Sequence, residues 1–199
     1  MADTATITAL GPEHNGMRMS LAEFANLDAR AGYTCELEKG VVIVVQLADL
    51  PHGLIVQYVR NRFVIFQAAH PDTIFFIGGG GEAGLQMQEL QSQRHPDISV
   101  YLSRPPLPAA QPWDFWAPDI AIEVVSPASR DRDYHIKREE YLIAGVRFYW
   151  IIDPDRSATL LTRRLDHWEE QRLDETAVIT TTLLPGLELK LADAFAAAE

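Results

Sequence analysis

The sequence feature that most constrains the fold is the run of residues 118–127, which reads PDIAIEVVSP. Ile120, Ile122 and Val124 alternate with the residues between them, which is the period-two pattern of a β-strand. Glu123 therefore points away from the isoleucine face. A carboxylate among apolar neighbours is costly to bury unless it is paired, hydrogen-bonded or bound to a metal. The strand is thus predicted to need a partner for Glu123.

Two other segments are candidates to supply that partner. Asp97 follows a proline at the start of a second alternating apolar run. Farther along the chain, Asp133, Lys137 and Tyr141 are spaced four apart, as residues on one face of a helix are. If the two strands pair and the helix packs beside them, Asp97, Glu123 and Lys137 converge on one site.

Two carboxylates and a lysine are the groups that metal-dependent phosphodiester cleavage uses. Mg²⁺ takes hard oxygen ligands, keeps several waters and binds substrate phosphate directly. It lowers the pKa of a bound water, while a nearby ammonium offsets charge in the transition state. In this interpretation Asp97 and Glu123 bind Mg²⁺ or Mn²⁺, and Lys137 is the catalytic cation. The alternative is a structural ion pair between Glu123 and Lys137 with no metal.

Further motifs extend this pattern along most of the chain. They are residues 35–40 before an apolar run, His52-Gly53 at a helix start, 94–97, 118–127, Arg132-Asp133 followed by Lys137 and Tyr141, and 144–146 leading to 149–154. In order and spacing they resemble the Uma family of restriction endonucleases, part of the PD-(D/E)XK nuclease superfamily. The resemblance implies an α/β, restriction-endonuclease-like fold, in which α-helices flank a mixed β-sheet.

The resemblance also implies roles for individual residues. Asp97 matches the aspartate of the superfamily's first motif, and Glu123 matches the acidic residue of the second. Val125 occupies the position of the lysine that usually follows that acid by two residues. In the family this function has moved to the following helix, where Lys137 is the matching position. Asp119 is an alternative ligand, but four residues of strand span roughly 13 Å, too far for one ion unless the strand bends.

Two more residues are additional candidates for the site. His52 stands at a predicted helix start, where a capping or satisfied polar role is the alternative to a catalytic or ligand role. Glu36 lies on a predicted strand, where a solvent-facing carboxylate is the alternative to a site residue.

The composition is that of a globular domain with one sizeable core: 199 residues, 47% hydrophobic and 23% charged. One nuclease-like domain over residues 1–199 is the simplest count, with 1–19 as a flexible N-terminal segment. The single cysteine, Cys35, allows no internal disulfide and fits a reducing compartment. Neither a secretory signal nor an apolar run of ~20 residues is found, so a cytoplasmic protein is expected.

The charge balance bears on the substrate. A net charge of −11 disfavours the broad basic surface that usually binds nucleic acids. Affinity depends on the local field, however, and Arg130, Arg132 and Arg138 lie close to Lys137 in the sequence. Weak, metal-dependent DNA binding is therefore expected, and a homodimer would suit cleavage of both strands. Two functions remain open: a Mg²⁺-dependent endodeoxyribonuclease, or a catalytically inactive nuclease-like binding or regulatory module.

Periodicity and turn signals predict the remaining elements. They are a helix over 20–31, a hairpin over 36–47, a long helix over 51–70, strands over 73–77 and 148–153, a hairpin over 158–173, a strand over 185–191 and a short helix or frayed tail over 192–199. The proline-rich residues 103–116 are predicted to form an extended connector.

Overall fold

The computed structural model of the chain describes residues 7–108 and 112–199. The backbone forms two compact units, one of Met1–Leu47 with Gln86–Arg94 and one of Ala48–Leu85 with His95–Glu199. The count of one domain over residues 1–199 stays a prediction. Residues 1–6 of the predicted N-terminal segment and 109–111 of the predicted connector lie outside the described residues.

Strands and helices alternate along the chain. The strands are β1 (Ala9–Leu10), β2 (Asp28–Ala29), β3 (Tyr33–Glu38), β4 (Val41–Gln46), β5 (Phe76–Gly78), β6 (Leu85–Met87), β7 (Ser92–Arg94), β8 (Ile98–Tyr101), β9 (Ile120–Val124), β10 (Phe148–Asp153), β11 (Ser157–Arg164), β12 (His167–Asp174), β13 (Val178–Ile179) and β14 (Leu189–Lys190). The α-helices are α1 (Leu21–Phe24), α2 (Leu50–Ala69), α3 (Lys137–Ile143) and α4 (Leu191–Ala196), and a π-helical turn (Arg132–Ile136) leads directly into α3.

The first unit contains a four-stranded sheet in the order β4-β3-β7-β6. The hairpin of β3 and β4 turns at Lys39 and Gly40, as predicted. Both residues have positive φ, at 48° and 77°, which is the requirement of a tight type I′ turn. The apolar core of this unit is contributed by helix α1 and the first strands: Leu10, Leu21, Phe24, Cys35, Leu37 and Val42.

The predicted helix over 20–31 is much shorter in the structure. Ser20 caps α1 and Glu23 completes the capping box, as the sequence predicts, but the helix ends at Phe24. Residues 28–29 instead form β2, which pairs with β1, and the strand residue Leu10 is fully buried. Pairing with a strand distant in sequence therefore overrides local helix propensity here.

The second unit is built on a six-stranded sheet in the order β12-β11-β10-β9-β8-β5. Strands β9 and β10 run parallel, and the other neighbouring pairs are antiparallel. The structure therefore confirms the predicted mixed sheet. The last predicted strand, over 185–191, is reduced to Leu189–Lys190.

The central strand β9 has two chemically different faces, as its alternation predicts. Ile120, Ile122 and Val124 belong to the main apolar core, together with Phe63 of α2 and Trp150 of β10. On the other face, Tyr149 of β10 contacts Tyr141 of α3 edge to face, with ring centroids 4.9 Å apart. Helices therefore lie on both faces of the sheet, and Glu123 belongs to the face that carries α3.

Helix α2 is the longest helix in the described residues. Asp49 caps it by accepting the backbone N–H of His52, Pro51 lies in its first turn, and its C-cap, His70, precedes Pro71. The sequence predicted this helix nearly to its ends. Among the described residues no helix combines the length and apolarity that crossing a membrane requires.

Phe63→Ala tests the packing of α2 on the sheet. Phe63 is 0% exposed and its ring lies 5.8 Å from that of Trp150, so truncation should leave a cavity and lower the free energy of unfolding by about 3–5 kcal/mol. Urea denaturation measures the change. The next residue, Val64, is 44% exposed, and Val64→Ala should cost less than about 0.5 kcal/mol. Equal losses would contradict this packing.

Candidate functional site

Asp97 immediately precedes β8 and Glu123 lies on β9, and these two strands pair as the sequence predicts. In the antiparallel register of β8 and β9, Ile98 is opposite Ile122, so continuing the register by one residue sets Asp97 opposite Glu123. Asp97 Oδ2 accepts a hydrogen bond of 2.8 Å from the backbone N–H of Val124. The start of β8 is thereby joined to the carboxyl end of β9. Both carboxylates lie at this edge of the sheet.

Lys137 lies between two carboxylates. Its Nζ atom is 3.0 Å from Glu123 Oε1 and 3.0 Å from Asp133 Oδ1. The side chains of Lys137, Glu123 and Asp133 are only 6%, 4% and 1% exposed, so the three charges are held in a low-dielectric environment where their attraction is strong. Lys137 is therefore the partner that Glu123 was predicted to need, and Asp133 pairs with the same ammonium.

Three hydroxyl groups donate hydrogen bonds to these carboxylates and to the turn that carries Asp133. Tyr141 Oη donates to Glu123 Oε1 at 2.6 Å, and Ser129 Oγ donates to Asp133 Oδ2 at 2.5 Å. Tyr149 Oη donates to the backbone carbonyl of Asp133 at 2.8 Å. Spacing alone placed Tyr141 on the face of Lys137, but no sequence signal identified Ser129 or Tyr149.

A π-helical turn presents Asp133 and Lys137 to the sheet. The sequence predicts one continuous α-helix here, whereas residues 132–136 form a wider turn in which the N–H of Lys137 donates to the carbonyl of Arg132. Such turns are rare in proteins, and those that occur are often found at functional sites. Periodicity of apolar residues cannot reveal one, because a single wide turn changes the pattern by only one residue.

His52 contacts both strands of this region. Its Nε2 atom lies 2.8 Å from the carbonyl oxygen of Val124 and 3.4 Å from Asp97 Oδ2. Burial acts to lower the pKa of the imidazole, but the hydrogen bond and charge of Asp97, with the Val124 carbonyl and the charge of Asp49, outweigh it. The net effect is a raised pKa for His52.

Asp97, Glu123, Asp133 and Lys137, here called the ionic cluster, contain three carboxylates and one ammonium. Burial raises the pKa of the Asp133 carboxyl, Lys137 and Ser129 act in the opposite direction, and the charge of Asp97 raises it further. Because Asp97 contributes to that shift, its charge is felt at Asp133. When all four groups are ionised, the three carboxylates of the cluster outnumber its one ammonium.

The donor atoms of the ionic cluster suit a hard cation but do not enclose one. No group of three His, Cys, Asp or Glu side chains in the described residues is arranged to hold a metal ion by itself. Mg²⁺ is usually bound through one or two carboxylates, with waters and substrate phosphate as its other ligands. Asp97 and Glu123 fit that limited role.

The other two acidic candidates each have an arginine partner. Asp119 precedes β9 at the end opposite to Val124, where it accepts the N–H of Leu102 and pairs with Arg147. Glu36 belongs to the first unit and is buried, with Arg94 Nη1 3.0 Å from its Oε2. The alternative of a solvent-facing Glu36 is therefore wrong.

Two of the three arginines near Lys137, Arg130 and Arg138, are paired with acidic residues. Arg130 binds both carboxylate oxygens of Asp153 and also contacts Asp155. Arg138 Nη1 lies 2.6 Å from Glu170 Oε2. The sequence suggested a basic patch here, but acidic partners offset much of its charge.

Comparison with known proteins assigns the family. The model of the Uma2 family, described as "Putative restriction endonuclease", matches residues 21–192. The chain is a member of the Uma2 family. No curated protein matches it.

One solved structure shows the fold. It is a crystal structure described as a putative nuclease belonging to DUF820 from Anabaena variabilis ATCC 29413, and its similarity to this chain has a TM-score of 0.74. The sequences are 22% identical, and the match covers 91% of this chain and 99% of the other. The predicted restriction-endonuclease-like α/β fold is confirmed.

Lys137→Met tests the ionic cluster without added metal. Removing the ammonium leaves the buried Glu123 and Asp133 without their cation, so the free energy of unfolding should fall by about 3–5 kcal/mol in urea titrations with EDTA. The neighbouring Arg138→Met removes a partly exposed pair with Glu170 and should cost about 0–1 kcal/mol. A small loss for Lys137→Met would contradict the cluster.

Proposed function

We propose that this protein is a Mg²⁺-dependent endonuclease that hydrolyses phosphodiester bonds in DNA. The observation that carries the proposal is the buried Lys137 ammonium, which lies 3.0 Å from Glu123. Glu123 is on β9, and β9 pairs with β8, the strand that begins directly after Asp97. Membership of the Uma2 family, with its description as restriction endonucleases, supports the same reaction. The nuclease described from Anabaena variabilis has the same fold.

Asp97 and Glu123 would hold the metal ion, and Mn²⁺ would serve in place of Mg²⁺. When bound, the ion would supply an activated water and neutralise charge on the phosphate. Asp97 is the more accessible of the two carboxylates, with 26% of its side chain exposed against 4% for Glu123. Asp97 would therefore face the substrate side, while Glu123 joins the ion to the buried lysine.

Lys137 would act on the charge of the reacting phosphate. Its ammonium is oriented by Glu123 and Asp133 before substrate arrives, so little reorganisation is needed during the reaction. Tyr141 donates to the same Glu123 oxygen and fixes that carboxylate in one orientation. The π-helical turn would contribute to this role by holding Asp133 and Lys137 against the sheet.

DNA binding should be weak and should depend on the metal ion. The chain has a net charge of −11, and Arg130 and Arg138 are engaged with acidic side chains. Phosphate contacts by free arginines and lysines normally supply most nucleic-acid affinity. The cation would therefore contribute a large part of the local attraction. Cleavage of both strands would be served by a homodimer.

A second candidate is a catalytically inactive nuclease-like module that binds or regulates. It is favoured by one observation: Lys137 and Tyr141 both engage Oε1 of Glu123, so this oxygen already has two partners without a metal. The two candidates differ in whether divalent ions bind and whether DNA is cut.

Metal binding should stabilise the folded protein. Because an ion bound only by the folded state adds RT ln(1 + [L]/Kd), Mg²⁺ or Mn²⁺ at ten times Kd should contribute about 1.4 kcal/mol. For a chain of this size each kcal/mol raises Tm by roughly 2–4 °C. Differential scanning fluorimetry with and without millimolar metal measures the shift.

Variants locate the ion. Asp97→Asn and Glu123→Gln should abolish the shift, whereas Asp119→Asn should retain it because Asp119 lies at the other end of β9. A wild-type Tm that does not respond to either metal would count against the metal site. If only Asp119→Asn lost the Tm shift, the ion would be bound at the Asp119 end of β9 instead.

DNA cleavage separates the roles of Glu123 and Lys137. Glu123→Gln should abolish both metal binding and cleavage. Lys137→Ala should leave metal affinity equal or slightly tighter, because the ammonium repels the cation, and should lower the rate about 10²–10³-fold. Lys137→Arg should restore activity only in part, since a planar guanidinium does not replace a compact charge.

Supercoiled and linear DNA are incubated with Mg²⁺ or Mn²⁺ at low salt, below the Tm of every variant, and metal affinity is measured by calorimetry. The control is Glu139→Gln, an exposed carboxylate on α3 that should not change the rate. If Glu123→Gln and Lys137→Ala cut DNA like the wild type, the proposed mechanism is wrong. Metal binding without any cleavage by the wild type would favour the inactive module.

A further inference from the structure

Four consecutive glycines, residues 78–81, follow the edge strand β5 and are here called the glycine loop. The loop is joined to the start of β8 at two points. Gly78 is opposite Ser99 in the register of β5 and β8, and the backbone N–H of Gly80 donates to the carbonyl of Pro96 at 3.1 Å. The loop therefore lies against the main chain on both sides of the residue between Pro96 and β8.

That residue is Asp97, and Gly79 leaves no room for a side chain beside it. A Cβ atom at position 79 would lie 2.9 Å from the backbone carbonyl oxygen of Asp97 and 3.3 Å from Nη1 of Arg60. The first distance is well below the roughly 3.5 Å at which non-bonded heavy atoms pack. Arginine can turn its side chain away, but the Asp97 oxygen belongs to the main chain and moves only with it.

The contact does not arise from backbone strain. Gly79 has φ −151° and ψ 144°, an extended conformation that alanine adopts as readily as glycine. A Cβ at Gly81, in the same loop, would meet nothing within 4 Å. Glycine is thus required at position 79 by the close approach to Asp97, whereas position 81 has space for a methyl group.

The glycine loop is also fixed on its other side. Glu82 Oε2 accepts the backbone N–H of Gly79 at 3.0 Å, and Arg60 Nη2 donates to the same oxygen at 2.6 Å. Arg60 belongs to α2, which Val59 and Phe63 anchor in the core. The loop cannot withdraw from Asp97 without breaking these hydrogen bonds.

The side chain of Asp97 depends on where its main chain is held. Asp97 Oδ2 accepts the backbone N–H of Val124 at 2.8 Å, which joins it to β9 beside Glu123. A displacement of the Asp97 main chain would lengthen this bond and move one carboxylate relative to the other. Groups that orient a metal ligand in this way affect metal affinity strongly.

From these contacts we propose that Gly79 is a positioning residue for Asp97, because it lets the glycine loop support the main chain of Asp97 and so hold its carboxylate in place for a divalent ion shared with Glu123. The proposal rests on the metal site of the proposed function and adds the element that sets one of the two ligands. It also gives the four glycines a role other than a nucleotide-phosphate loop, in which a lysine would follow them where this chain has Glu82.

The first experiment needs no metal. Amide hydrogen exchange is followed by NMR in EDTA for the full chain and for Gly79→Ala, and the Val124 N–H should exchange about tenfold faster in the variant because its bond to Asp97 is weakened. The N–H of Val125 donates to the Ile152 carbonyl at 2.8 Å and should keep its wild-type rate. A general loss of stability would speed both amides alike. The matched control, Gly81→Ala, should change neither.

The second experiment measures Mn²⁺ affinity by calorimetry. Gly79→Ala should bind Mn²⁺ about 10–100-fold more weakly than the wild type, and Gly81→Ala should bind within about twofold of it. Glu82→Ala loosens the same loop without adding a Cβ at position 79, so it should shift both readouts in the same direction. Circular dichroism melts in EDTA verify folding, and if Gly79→Ala does not fold, Glu82→Ala decides by the same two measurements.

The outcomes separate this proposal from the proposed function. Selective acceleration of Val124 exchange together with weaker Mn²⁺ binding supports it. A wild-type exchange rate at Val124, equal acceleration of Val124 and Val125, or wild-type Mn²⁺ affinity in Gly79→Ala overturns it. If the wild type itself binds no Mn²⁺, the metal site of the proposed function fails, and the exchange rates in EDTA still decide whether Gly79 positions Asp97.

Discussion

The interaction on which the rest of the site depends is the burial of one ammonium between two carboxylates. Charges taken out of water are costly unless each has a close partner, and Lys137 satisfies this for Glu123 and Asp133 together. The hydroxyls of Ser129 and Tyr141 each donate one further hydrogen bond, to Asp133 and Glu123 respectively. The wide helical turn at 132–136 and the Tyr149 contact follow from the need to hold this arrangement against the sheet.

The sheet allows such a site because its two faces have separate tasks. The face with Ile122 and Trp150 packs against α2 and supplies the apolar core of the second unit. The opposite face has Glu123 at a central strand, where paired strands on both sides fix its position. Stability and chemistry are therefore carried by alternate residues of one strand. A change of register by one residue would exchange them, so the core also enforces the site.

The charge of the site and the charge of the molecule bear on function together. Three carboxylates surround one lysine in a chain that is acidic as a whole, and the nearby Arg130 and Arg138 are paired with acidic side chains. A nuclease built in this way would depend on its metal ion for attraction as well as for chemistry.

The sequence by itself determined the mixed sheet, the long helix α2, the direction of Glu123 away from the isoleucine face and its association with Lys137. Each of these follows from a local period or from the cost of burying an unpaired charge. Only the tertiary structure decided that α1 stops at Phe24, that a π-helical turn precedes α3, and that Arg130 pairs with Asp153. It also decided that His52 meets Val124 and Asp97. These features depend on contacts between residues far apart in the chain. Local sequence patterns do not specify which distant residues will be in contact.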